Sequence, residues 1–100
     1  MATTTKALAR AAAATTSTTL YTVPSATTAV VTNILLSNTA TSAATATISL
    51  NGVVAVPAVS IPANTVVGID LKQVLAATNT ITGFASATTV NFHISGVEIA

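Results

Sequence analysis

The chain has 100 residues and no cysteine. That is room for one domain with a real core, without disulfides or thiolate metal sites, and it permits folding in a reducing cytoplasm. Only Lys6, Arg10, Asp70, Lys72 and Glu98 are charged, for a formal net charge of +1. This excludes the basic patch that nucleic-acid binding needs and the charge-driven disorder of a solvated tail.

Hydrophobic residues make up 51% of the chain, largely Ala and Val, and Thr, Ser and Asn supply much of the rest. Such a surface has little charge repulsion to keep copies apart, which suits a subunit covered by companions better than a free monomer. No run approaches the roughly 20 apolar residues of a membrane-spanning helix. Neither a nucleic acid nor a membrane is therefore expected as partner.

The opening "MATTTKALARAAAATTSTT" reads as an N-terminal arm over 1–18, followed by a domain over 19–100. Its Ala, Leu, Lys and Arg content favours a short helix over 6–14, one that needs a surface to dock on. The apolar run is too short for a secretion signal, and the transit-peptide likeness rests on Ser, Thr and Arg content alone.

"TLYTV" (19–23) is a short strand closed by Pro24. "TTAVVTNILLSN" (27–38) carries the strongest β signal. Val30, Thr32, Ile34 and Leu36 fall on one face and Val31, Asn33, Leu35 and Ser37 on the other, which predicts burial from both sides. "NTATSAA" (38–44) is a polar loop. "TATISLNG" (45–52) alternates, with Ala46, Ile48 and Leu50 facing in. Asn51-Gly52 predicts a tight hairpin to "VVAV" (53–56), and Pro57 ends regular pairing or marks an edge.

"TVVGIDL" (65–71) is the next strand, with Val67, Ile69 and Leu71 on one face. "DLKQVLAA" (70–77) reads as a helical turn capped by Asp70. "NTITGFAS" (79–86) and "TVNFHISGVEI" (89–99) close the chain. In the last strand Val97 and Ile99 fall out of phase with Val90, Phe92 and Ile94, which predicts a β-bulge near Gly96. About seven short strands between Pro, Gly and Asn turns give an all-β fold: a small antiparallel β-sandwich, jelly-roll-like, with a flexible N-terminal arm.

Catalysis needs converging groups, and the supply is one histidine and two acids. His93 alternates away from Phe92 and Ile94, towards solvent or a neighbour. Glycoside cleavage would require Asp70 and Glu98 to meet. One copy of His93, Asp70 and Glu98 makes no metal cage. The glycines are scattered, so no phosphate-binding loop exists. Phe84 and Phe92 read as core and Tyr21 as a rim residue. No catalytic, cofactor-binding or metal-ligating residue is assigned, and no cofactor is expected.

Three segments, "LYTVPSATTAVVTNILLSN" (20–38), "SIPANTVVGIDLKQVL" (60–75) and "VNFHISGVEI" (90–99), together resemble small tailed-bacteriophage virion proteins. The likeness lies in strands and turns and brings no catalytic residue with it. It implies a non-enzymatic structural protein, first of all a capsid decoration (cement) protein that binds and stabilises the shell. Its partners would be the major capsid protein or other virion proteins, and copies of itself in a homo-oligomer, a trimer by analogy. Its place would be the virion, assembled in the host cytoplasm. The alternative is a tail-fibre, baseplate or head-tail accessory module contacting host glycans.

Overall fold

A computed structural model describes residues 3–100. Among them eight strands follow one another: β1 (Thr3–Ala12), β2 (Thr18–Thr22), β3 (Thr28–Asn38), β4 (Ala44–Leu50), β5 (Val53–Ile61), β6 (Thr65–Leu75), β7 (Thr80–Ala85) and β8 (Val90–Ile99). They form two four-stranded sheets, ordered β1-β8-β3-β6 and β2-β7-β4-β5, with every pair antiparallel. Successive strands mostly switch sheets, so β1 sits with β2, β8 with β7, β3 with β4 and β6 with β5. This is the eight-stranded jelly roll.

The core lies between the sheets. Val31, Ile34, Leu36, Val90, Phe92 and Ile94 come from one, Ile48, Ile61 and Ile81 from the other, and all are fully buried. Burial of each such side chain contributes about 1.5–3 kcal/mol. In β4 the expected alternation holds, with Ala46, Ile48 and Leu50 buried. The Asn51-Gly52 hairpin also forms as read: φ is 52° and 79° at its two residues, the left-handed pair that a primed two-residue turn requires. Pro57 stands in β5, an edge strand, where the pairing with β4 is bulged.

Residues 3–12 do not form a helix or an arm standing apart from a domain over 19–100. They are an edge strand paired to β8 from Thr3–Ile99 to Ala12–Asn91. Helix propensity loses here because so short a helix is marginal alone, while β8 offers a full ladder of backbone hydrogen bonds. Leu8 is the extra residue of a bulge in β1 and is buried. Ala13 then donates to the Val90 carbonyl at 2.8 Å, and Ala14 accepts from Ala85 at 2.9 Å, which carries the chain from one sheet to the other.

Two further expectations are corrected. "DLKQVL" is the second half of β6, not a helical turn, and Asp70 caps nothing: it stands opposite Asn33 in β3, whose Nδ2 donates to its carboxylate at 3.3 Å. The irregularity near Gly96 exists, but β8 itself is regular. The extra residues lie on its two neighbours, Leu8 in β1 and Thr32 in β3. The bulge at Thr32 also flips the phase of β3, so Ala29 and Val31 point into the core before it, and Ile34 and Leu36 after it. Val30 and Leu35 are half-buried on the outer face.

The same flip brings Asn38 into the core phase. Its Nδ2 donates to the carbonyls of Ser42 (2.9 Å), Ile61 (3.1 Å) and Pro62 (3.4 Å), and its Oδ1 accepts from Ala40 N (3.1 Å) and Thr89 Oγ1 (3.1 Å). One buried amide thus ties together β3, β5 and the loops after β3 and β7.

Two substitutions test these joints. A Cβ at Gly96 would lie 2.2 Å from the Val30 carbonyl oxygen and 2.9 Å from Leu8 Cδ1. Gly96→Ala is expected to cost on the order of 3 kcal/mol, because a backbone atom cannot step aside as a side chain can. Asn38→Ala strands several buried groups at about 1–3 kcal/mol each. Either variant should lower the melting temperature by roughly 10–20 °C, read by calorimetry.

Candidate functional site

The few chemically active side chains separate into two places. At the β1–β2 side of the sandwich, Glu98 of β8 points towards the other sheet. It accepts a very short hydrogen bond from the Tyr21 hydroxyl of β2, and Lys6 of β1 stands 3.4 Å away. Three strands from two sheets meet at one carboxylate.

The electrostatics follow from this contact. The Tyr21 hydrogen bond, helped by Lys6, holds the Glu98 carboxyl below its ordinary pKa against the opposing effect of desolvation. Desolvation first, then the hydrogen bond and the negative charge of Glu98, push the Tyr21 phenol well above its ordinary value. The phenol is tied up and half-buried, so Tyr21 is a clamp between sheets and not the free rim aromatic that a sugar would stack on.

Asp70 does not join this cluster. It stands on the far edge strand of the same sheet, on the outer face, at the level of Ser95. Two strand spacings and three residues separate it from Glu98, roughly 14 Å. A glycosidase pair needs both carboxyls on one sugar, roughly 5–10 Å apart. His93 lies half-buried on the outer face of the sheet, between Arg10 of β1 and Leu35 of β3. Among the described residues no three His, Asp or Glu gather into a metal-binding group. Phe92 is core as expected, whereas Phe84 is 38% exposed on β7.

The second place is the opposite side, where the edge strands β5 and β6 flank an open cleft of about 380 Å³. Leu50, Val53, Val56, Ile69, Leu71 and Gln73 are among its lining residues. Val53 and Val74 are 70% and 69% exposed, and Val54 and Val66 are more than half exposed. The apolar content of these segments was legible in sequence. Their exposure was not, because it depends on both strands being edges on the same side.

The Tyr21–Glu98 contact predicts two limbs of pH dependence. Glu98 binds its proton less tightly folded than unfolded, so its contribution is present above roughly pH 4.3 and is lost as pH falls through the depressed folded value. Tyr21 binds its proton more tightly folded, so its contribution is present below roughly pH 10 and is lost as pH rises. Tyr21 is the single tyrosine. Its tyrosinate absorbance should appear at a higher pH than in the unfolded chain, and Glu98→Gln should lower that midpoint and flatten the acid limb.

No family model matches the chain, and no curated protein matches it. Among solved structures it is similar to an exo-β-1,3-galactanase from Phanerochaete chrysosporium in complex with galactose, at 17% identity and a TM-score of 0.50, over 97% of this chain and 29% of that one. A variant of the same enzyme with β-1,3-galactotriose gives 17% identity and a TM-score of 0.50, over 95% of this chain and 26% of that one. The chain thus spans less than a third of the enzyme's length, and at this identity the likeness is one of fold: an all-β sandwich of two antiparallel sheets.

Proposed function

We propose that this chain is a non-enzymatic assembly subunit, and that it serves as a structural protein of a tailed-bacteriophage particle, first of all as a capsid decoration protein binding the shell. The carrying observation is the β5–β6 side: an open apolar cleft rimmed by Val53 and Val54, both more than half exposed, on a chain with five charged residues. Contiguous exposed apolar surface marks interaction sites, and a surface this poor in charge does little to keep neighbours away. The jelly roll suits the role, being an architecture of viral capsid domains. Glu98 and His93 share β8 but face opposite ways, and Asp70 stands on β6, so the three do not converge on one point, which speaks for a role without catalysis.

A second reading, a tail or baseplate module contacting glycans, draws support from the fold shared with part of a galactan-cleaving enzyme. Lectin domains use the jelly roll as well. With Phe92 buried and Tyr21 clamped, Phe84 is the aromatic that would face a sugar.

Mass spectrometry of intact particles, with cryo-electron microscopy to place the subunit, tests the first reading. The expected result is the chain in stoichiometric amount on the shell. Its absence from particles, together with saccharide binding that is lost in Phe84→Ala, would replace the first reading by the second.

A further inference from the structure

Four strands end the two sheets: β1 and β6 in one, β2 and β5 in the other. An open edge presents unpaired N–H and C=O groups to any passing chain, and proteins blunt such edges with charge, proline, bulges or brevity. All four strands carry some of these devices. β1 carries exposed Lys6 and Arg10 and a bulge at Leu8. β2 has five residues and a bulge at Leu20. β5 holds Pro57 and the distorted Ala58, at φ 36°.

β6 also carries charge, and its register against β3 slips by one residue at Leu71–Lys72, but its side chains keep a regular alternation over 11 residues without proline. Val67, Ile69, Leu71 and Leu75 face the core side, and Val66, Gly68, Asp70, Lys72 and Val74 line the outer face. Its two charges are of opposite sign and two residues apart on that face. A lone lysine would repel a second copy, whereas an Asp-x-Lys triplet selects one.

We propose that β6 is a self-pairing edge: two copies of this chain join β6 to β6 antiparallel about a two-fold axis at Leu71. This register sets Asp70 directly opposite the partner's Lys72, and Lys72 opposite the partner's Asp70. Opposite charges across an antiparallel pair stabilise it and like charges destabilise it. The same register sets the exposed Val74 opposite the partner's Gly68, twice.

Gly68 is an independent sign of a partner. Within its own chain a Cβ at Gly68 would meet nothing nearer than Leu35 Cδ1 at 4.0 Å, and its φ is not in the left-handed region. Its own fold therefore does not need glycine there. A glycine in a strand carries an entropic cost and often marks the close approach of another chain. The pairing joins the two four-stranded sheets into one continuous sheet and brings the two β5–β6 clefts, with Leu71 of each, to the same seam. An isologous contact closes on itself as a pair, not as the three-fold ring that analogy suggests.

The inference rests on reading the chain as an assembly subunit, but its test needs no particle. Sedimentation equilibrium of the purified 9.8 kDa chain over a concentration series should show reversible doubling of mass. Asp70→Lys alone, or Lys72→Asp alone, opposes like charges twice and should give a monomer, with circular dichroism confirming the β fold. The double exchange Asp70→Lys/Lys72→Asp should restore the pair. An equimolar mixture of the two single variants should form a mixed pair, because each supplies the charges that the other lacks. A wild-type monomer at every concentration, a trimer, or single variants that dimerise as well as wild type would each overturn the β6 pairing. Any of these would leave attachment to a shell through another surface open.

Discussion

The sheet that holds β8 depends on the empty space at Gly96. The Val30 carbonyl of β3 lies where a side chain would begin, and Leu8 of β1 fills the gap from the other side. Both neighbours bulge at this level while β8 stays regular. The close approach lets one strand serve two partners, and the bulge in β3 then sets which of its residues enter the core. Leu8, Val31, Ile34 and Asn38 take their positions from it.

With so few charges, cohesion comes from apolar burial, backbone ladders and a small number of well-placed polar contacts. Asn38 shows how such a contact works in a core. Its amide is fully engaged, and no buried side-chain polar atom among the described residues lacks a partner. Glu98 plays a comparable part at the other end of the sandwich, where it joins β8, β2 and β1 through Tyr21 and Lys6. The two polar nodes lie near opposite ends of a molecule 46 Å long, and the apolar core fills the space between them.

Charge lies mostly where strands lack neighbours, the exception being Glu98 on the interior β8. Lys6 and Arg10 lie on β1, Asp70 and Lys72 on β6, and both are edges. Interior strands are masked by their partners and need no such protection. The same economy leaves the valines of β5 and β6 uncovered. The molecule is thus closed along its β1–β2 side and open along its β5–β6 side, and the proposed assembly contacts lie on the open one.

The composition and the period-2 patterns by themselves determined the class of fold, most strand positions, the Asn51-Gly52 hairpin and the inward face of β4. Each of these is a local property: alternation, turn chemistry, or the tolerance of a residue for positive φ. What escaped was non-local. Residues 3–12 are a strand because β8 is there to pair with them, against their helical preference. "DLKQVL" continues β6 because β3 carries it, and the break in phase at Val97 belongs to the neighbours of β8. Asn38 did leave a trace, a polar residue in step with Ile34 and Leu36, but only the bulge explains why a buried position wants an amide. The meeting of Tyr21 with Glu98 and the shared side of β5 and β6 were decided by tertiary structure alone, because they depend on how two sheets stack, and no local pattern encodes which edges lie together.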